Sequence, residues 1–173
     1  MLIRDTRPDD LEAVLGLNAL WEHVTSPLGA DALAALHAQA AYHRVVELDG
    51  QVVAFLLAIG PGAAYQSPNY RWFEESAREP FLYIDRVVVS ADSHRSGFGA
   101  ALYDDVLAFA VAHGILRLVC EVDVEPLNVA SDSFHRARGF AEVGTQWVGG
   151  GKKRVSLREL RCARELTSRP GPV

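Results

Sequence analysis

The clearest chemical pattern in the sequence is a glycine-bearing turn between an apolar run and a helix. Gly97 and Gly99 follow the run 81–90 and begin a predicted helix that ends near His113. Glycines let successive backbone N–H groups converge, and a helix N-terminus adds partial positive charge. Such a turn can bind a diphosphate without several cationic side chains. The alternative is an ordinary helix start that uses glycine only for its turn.

Two acidic residues lie within apolar runs that are predicted to be buried strands. Asp85 belongs to the run 81–90, and Glu121 belongs to the run 116–122. A buried carboxylate without a partner is costly, so something must compensate each of them. One interpretation is a general base that deprotonates an attacking amine, directly or through water. The other is a structural ion pair with Arg86 or Arg117.

A dinucleotide-binding Rossmann fold is a remote alternative for the glycine turn. That fold also places an acidic residue about twenty positions further on, where Glu121 or Asp123 could serve. Its glycines, however, follow their strand almost at once and include a third glycine. Here the strand is predicted to end near Ser90, and Leu102 stands where the third glycine belongs.

The remaining patterns predict one α/β domain over residues 1–166 and a short tail over residues 167–173. A strand and two helices come first, the second helix capped by Asp31, and the Asp49-Gly50 turn then predicts a hairpin. Residues 60–80 are expected to form a long loop with at most one helical turn. This loop contains aromatic residues that could cover an acceptor site or form a dimer contact: Tyr65, Tyr70, Trp72 and Phe73.

Two motifs resemble those of the GNAT superfamily of N-acetyltransferases. Residues 94–99 resemble the Q/R-x-x-G-x-G/A signature at both glycines, although His94 replaces the usual first residue and Arg95 follows it. Residues 128–140 resemble an N-x(10)-G-F motif. The resemblance implies a mixed, largely antiparallel sheet of six or seven strands flanked by helices. It also implies direct transfer of an acetyl group from acetyl-coenzyme A to a primary amine.

The resemblance also implies site residues. The main chain of the valines would face the pantetheine arm, the glycine turn would hold the diphosphate, and two residues would border the thiol end. In that order these residues are Val87, Val88 and Val89; His94, Arg95, Ser96, Gly97, Phe98, Gly99 and Ala100; and Asn128 and Phe134. His135 stands where many members carry a tyrosine that protonates the leaving thiolate, and a neutral histidine can also donate a proton.

Composition limits the remaining function classes. The chain has 173 residues and a formal net charge of -5, so we expect neither nucleic acid nor a membrane as a partner. The N-terminus lacks an apolar signal region, which favours a cytoplasmic protein. The histidines show no metal spacing, and no metal is expected. The expected partner is a small-molecule or peptide amine, a homodimer is left open, and the alternative function is a non-catalytic coenzyme A-binding sensor or interaction module.

Overall fold

The computed structural model describes residues 1–21, 27–76, 79–93 and 96–162. His94, Arg95 and the predicted tail 167–173 lie outside the described residues. The strands are β1 (Leu2–Asp5), β2 (Ala40–Leu48), β3 (Gln51–Ile59), β4 (Phe81–Val89), β5 (Arg117–Glu125), β6 (Ala141–Val148) and β7 (Lys153–Arg161). The helices are α1 (Leu11–Ala19), α2 (Ala30–Gln39), α3 (Pro68–Ser76), α4 (Phe98–Ala112) and α5 (Val129–Ala137).

The strands form one mixed sheet in the order β1-β2-β3-β4-β5-β7-β6. Every neighbouring pair is antiparallel except β4 and β5, which run parallel. The predicted fold class, a largely antiparallel sheet flanked by helices, is therefore confirmed. The Asp49-Gly50 hairpin is confirmed as well, because both turn residues have the positive φ angles, 51° and 80°, that such a turn requires.

Helices cover both faces of this sheet because its central strands alternate their side chains between two cores. Phe55 and Leu57 of β3 join a core with α1, α2 and α3, whereas Leu56 joins a core with α4. All three of these side chains are fully buried. The continuous apolar sequence of β3 thus reflects a strand covered on both faces.

The sheet divides between β4 and β5. Of the nine described residues in each strand, only Phe81–Tyr83 and Arg117–Val119 pair with each other. Beyond these three pairs β4 stays with β3 as far as Val89, and β5 stays with β7 as far as Glu125. The two parallel strands therefore separate just where Asp85 and Glu121 would otherwise face each other.

Two sequence predictions need correction. Residues 60–80 contain the nine-residue helix α3 rather than a loop with at most one turn. Tyr70 and Phe73 of this helix are buried on β4, so tertiary packing stabilises a segment whose own periodicity is poor. The second helix begins two residues earlier than predicted, with Gly29 in place of Asp31 as its N-cap, and Asp31 lies in its first turn.

The contact between α3 and β6 generates a prediction about packing. A Cβ added at Gly144 would lie 2.7 Å from Cζ2 of Trp72. We expect Gly144→Ala to lower the free energy of unfolding by about 1–3 kcal/mol, because the indole must move out of a packed position. The measurement is urea unfolding.

Gly16 offers the matched control for this measurement. It lies within α1, and a Cβ there would meet nothing within 4 Å. Gly16→Ala should therefore leave stability equal or higher, since alanine is the better helix former. Equal stability of wild type and Gly144→Ala would contradict the packing of Trp72 on β6.

Candidate active site

The separation of β4 from β5 exposes main chain between two buried rows of side chains. The Asp85 side chain is only 4% exposed, yet the residue as a whole is partly exposed, so its accessible surface is mainly backbone. Val87 and Val89 are likewise partly exposed, whereas Val88 is buried. Backbone N–H and C=O groups are strong hydrogen-bonding groups, so this strand edge can pair with an extended, amide-containing ligand.

The glycine turn lies directly after β4 and starts α4. Gly97 is the N-cap with a φ of 79°, a conformation that explains glycine at this position. The first bond within the helix runs from the N–H of Ala101 to the carbonyl of Gly97, so the N–H groups of residues 98–100 have no partner inside the helix. Free N–H groups at a helix N-terminus can bind an anion.

Gly99 differs from Gly97 in that the fold itself does not require glycine there. Its φ is not in the left-handed region, and an added Cβ would lie 3.8 Å from Val89 Cγ2, an ordinary contact. A side chain at position 99 would therefore fit the protein. Packing within the protein does not explain why residue 99 is glycine, whereas close approach of a ligand to its backbone would. Phe98 is the first residue of α4, and its side chain is buried in the core that this helix forms with the sheet.

Phe134 and His135 lie on α5 and Asn128 is its N-cap, but the Asn128 amide oxygen and both ring nitrogens of His135 have partners within the protein. The side chain of Asn128 caps the helix by accepting from the N–H of Ser131, at 3.0 Å. Phe134 packs edge-on against Tyr103. His135 is 5% exposed, with Nδ1 2.8 Å from the carbonyl oxygen of Ser131 and Nε2 2.7 Å from the hydroxyl of Tyr103.

These contacts define the tautomer of His135. A carbonyl only accepts, so Nδ1 carries the proton and Nε2 accepts from the Tyr103 hydroxyl. Burial lowers the pKa of the imidazole, which favours this neutral form. A neutral ring in this arrangement has its one proton committed to Ser131, which does not favour His135 as the donor to a thiolate.

The two carboxylates in the strands have different surroundings. Asp85 Oδ2 accepts from Arg86 Nε at 2.7 Å, and Oδ1 accepts from the Tyr65 hydroxyl. An extra residue on β4 at this point, opposite the Leu57/Ala58 step of β3, allows the adjacent side chains of Asp85 and Arg86 to meet. Asp85 is therefore the carboxylate in a structural ion pair, and Arg117 pairs instead with Glu159, at 2.9 Å.

Glu121 accepts hydrogen bonds from neutral groups. The hydroxyl of Tyr83 donates to Oε2 at 2.7 Å, and the side chain of Asn69 approaches the same carboxylate closely enough to lower its pKa. Burial raises the pKa of Glu121 to about 7, with a further increase from the negative charge of Asp85. A carboxylate that titrates near neutral pH beside a cleft has the property expected of a general base.

Sequence reasoning missed the groups that contact these carboxylates. Tyr83 was part of an apolar run, and Asn69 lay in a segment without periodicity, so neither carried a signal for a role at the site. Tyr65 was identified only as one aromatic residue of a loop. Alternation along β4 is the one available clue, since it places Tyr83 and Asp85 on the same face.

Comparisons with known proteins agree with this geometry. The family model described as "Acetyltransferase (GNAT) family" matches residues 9–140. The chain therefore belongs to the GNAT acetyltransferase family, which supports acetyl transfer in general. The comparison with curated proteins found no match.

Solved structures resemble the chain over nearly its whole length. The ribosomal-protein-S18-alanine N-acetyltransferase from Escherichia coli has a TM-score of 0.71 and 16% identity, covering 96% of this chain and 97% of its own. Ard1 from Thermoplasma volcanium has a TM-score of 0.74 and 20% identity, with coverages of 94% and 98%. An N-acetyltransferase from Staphylococcus aureus Mu50 has a TM-score of 0.69 and 22% identity, covering 94% of this chain and 98% of its own. At these identities the likeness shows the fold alone.

The described residues contain neither a metal-binding group nor a membrane-spanning helix. Within residues 1–21, 27–76, 79–93 and 96–162, no three His, Cys, Asp or Glu side chains are grouped so as to hold a metal ion. The same part of the chain contains no helix that is long and apolar enough to span a membrane.

The raised pKa of Glu121 predicts how stability depends on pH. The folded protein binds this proton more tightly than the unfolded chain does, so the contribution is complete below the ordinary glutamate pKa and is lost as the pH rises through about 7. Glu121→Gln removes the charge and keeps an acceptor for Tyr83. We expect this variant to be more stable than wild type by about 2 kcal/mol near pH 8 and equal to it near pH 4.

Denaturant unfolding at both pH values measures this difference. Asp85→Asn provides the comparison, because it removes the negative charge of the Asp85–Arg86 ion pair and should destabilise the protein. A stability difference between wild type and Glu121→Gln that does not change with pH would show that Glu121 does not titrate in this range.

Proposed function

We propose that the protein is an N-acetyltransferase that transfers the acetyl group of acetyl-coenzyme A to a primary amine by direct attack. The single observation that carries the proposal is Glu121, a carboxylate that accepts from the Tyr83 hydroxyl, has no arginine partner among the described residues and lies at the place where β4 and β5 separate. The acceptor is a small-molecule or peptide amine. Family membership supports the reaction class, and the site residues support the amine as the attacking group.

Recognition of the cosubstrate is assigned to backbone groups. The main chain of Val87, Val88 and Val89 would pair with the amide-containing pantetheine arm, and the N–H groups of residues 98–100 would bind the diphosphate. Gly97 shapes this turn, and Gly99 leaves its backbone open to the ligand. His94, Arg95 and Ser96 belong to the same proposed site through the sequence motif. This use of backbone suits a protein with a net negative charge.

Acetyl-coenzyme A supplies an activated acetyl thioester, and the protein must supply a neutral amine. An ammonium ion has no lone pair for attack, so Glu121 accepts one of its protons, directly or through water. A base that titrates near pH 7 is deprotonated at neutral pH and strong enough to compete for that proton. Asp85 assists by its negative charge, because that charge raises the pKa of Glu121.

Departure of the thiolate is the step with least support from side chains. His135 was the expected acid, but its Nδ1 proton is directed to the carbonyl of Ser131 and its Nε2 accepts from Tyr103. The role of His135 as an acid remains a proposal that these contacts do not favour. A coenzyme A thiolate can also leave without protonation by the enzyme, so turnover does not depend on this residue.

The contacts of His135 with Ser131 and Tyr103 favour a second candidate function. If no group protonates the thiolate and the acceptor side serves no amine, the protein would be a coenzyme A-binding sensor or interaction module on an acetyltransferase fold. Both candidates predict coenzyme A binding, and only the first predicts consumption of the thioester.

Coenzyme A binding is tested by thermal shift with Gly99→Val. The ligand should raise the melting temperature of wild type, because it binds only the folded state. The variant should keep the melting temperature of the free protein, since position 99 has room for a side chain, but lose most of the ligand-induced shift. Gly16→Ala is the control and should retain the shift. An undiminished shift in Gly99→Val would remove the glycine turn from the site.

Turnover is tested with a panel of amines and peptides by measuring thioester consumption against pH. For an active acceptor, kcat/KM should rise with pH through about 7, where Glu121 loses its proton, before levelling. Glu121→Gln should lower kcat/KM by roughly tenfold to a thousandfold and retain the thermal shift with coenzyme A. Binding without consumption by any panel member would favour the sensor, and a wild-type pH profile in Glu121→Gln would assign deprotonation elsewhere.

A further inference from the structure

Glu121 is held by donors that come from two different elements of the fold. Tyr83 of β4 is 1% exposed and its hydroxyl donates to Glu121 Oε2 at 2.7 Å. Asn69, in the first turn of α3, is 8% exposed and approaches the same carboxylate closely enough to lower its pKa. A carboxylate that is approached by donors from two directions has less freedom to rotate than one held by a single donor.

The orientation of the Asn69 amide is fixed by a third element. Gln146 of β6 donates from Nε2 to Asn69 Oδ1 at 2.5 Å. Because a carbonyl oxygen accepts and an amide nitrogen donates, this bond leaves the Asn69 NH₂ group free to donate to a carboxylate. The chain Gln146, Asn69, Glu121 therefore has a consistent direction of donation, from the edge strand of the sheet to the proposed base.

Tyr83 is fixed by packing as well as by its hydrogen bond. Its ring contacts those of Tyr65, Tyr70 and Phe73, at centroid distances of 6.3, 5.7 and 6.2 Å. Burial raises the pKa of its phenol well above the ordinary value, so the hydroxyl keeps its proton and remains a donor. The aromatic segment between β3 and β4 thus determines where this donor points.

We propose that Tyr83 and Asn69 are positioning residues that hold the Glu121 carboxylate in one orientation at the separation of β4 and β5. This inference rests on the proposed function of Glu121 as the base. The hydroxyl and the amide act through Glu121 and need not contact the acceptor. Gln146 supports them by fixing the amide of Asn69.

Removal of either donor has a definite consequence for the acidity of Glu121. The side chains of Tyr83 and Asn69 lower the pKa of Glu121, whereas burial and the charge of Asp85 raise it. Loss of a donor should therefore raise the pKa, so that Glu121 becomes deprotonated only at higher pH. The titratable and charged groups that interact with Glu121 from the surrounding elements are Asp85, Tyr65, Tyr83, Tyr103 and Cys120, with Arg86 paired to Asp85.

The test compares Tyr83→Phe with Tyr70→Phe. Both substitutions remove one hydroxyl from the same aromatic cluster, but the Tyr70 hydroxyl contacts Gly60, Ala63 and Glu74 and not Glu121. The first measurement is the titration of the Glu121 carboxyl carbon by NMR, identified by its loss in Glu121→Gln. The second is the pH dependence of kcat/KM with the best acceptor of the panel.

Tyr83→Phe should raise the titration midpoint of Glu121 by about one pH unit and move the rising limb of kcat/KM by the same amount, which is about tenfold in rate on the acid side. Tyr70→Phe should move neither. An unchanged midpoint in folded Tyr83→Phe would overturn the proposal for this residue. Because the NMR titration needs no acceptor, a shifted midpoint without turnover would contradict the proposed function and leave the positioning role standing.

Asn69→Asp and Gln146→Met test the second donor even if Tyr83→Phe does not fold. An aspartate at position 69 would put a second carboxylate beside Glu121, so the midpoint should rise by more than one unit. Gln146→Met only releases the Asn69 amide and should give a smaller rise in the same direction. Gln66→Met, at another wall of the cavity that Gln146 lines, is the control and should give none. Unchanged midpoints in both variants would overturn the role of Asn69.

Discussion

The pairing between the described strands β4 and β5 ends at Tyr83 and Val119. Beyond this point the backbone groups on the facing edges of the two strands do not bond to each other. The constraint that produces this separation is that each strand stays paired to its outer neighbour, β4 to β3 and β5 to β7. Buried backbone groups must be satisfied, so the fold leaves a position where an extended ligand can complete the sheet. The open main chain, the glycine turn after β4 and the two carboxylates all take their places from this separation.

A bulge in β4 explains why two carboxylates so similar in sequence context have different properties. The extra residue on β4 turns Arg86 beside Asp85, and the resulting ion pair stabilises the charged form of that side chain. Glu121, on the regular part of β5, has neutral side chains as its donors within the part of the chain that the structure describes, so burial dominates and raises its pKa. Retaining such a group costs stability at neutral pH, which is the usual sign that a residue is kept for function and not for folding.

The sequence was sufficient for features that depend on local chemistry. The Asp49-Gly50 hairpin and the start of α4 at Gly97 follow from positive φ angles and glycine placement. It did not reveal α3, whose helical state depends on the burial of Tyr70 and Phe73 against β4. Nor could it distinguish Asp85 from Glu121, because that difference arises from a bulge and from side chains far apart along the chain. The roles of the coenzyme A residues remain predictions.

The position of α3 joins two properties that could otherwise vary separately. Its Trp72 packs on Gly144 and its Asn69 bonds to Gln146, so the helix closes the acceptor side of the sheet against the edge strand β6. The same Asn69 contributes to the pKa of Glu121. On the proposed function, a change of residues here that admitted a different amine would also move the pH at which Glu121 acts as the base. Acceptor preference and the acidity of the base would then be coupled through one helix, and a variant selected for a new amine should be judged at its own pH optimum.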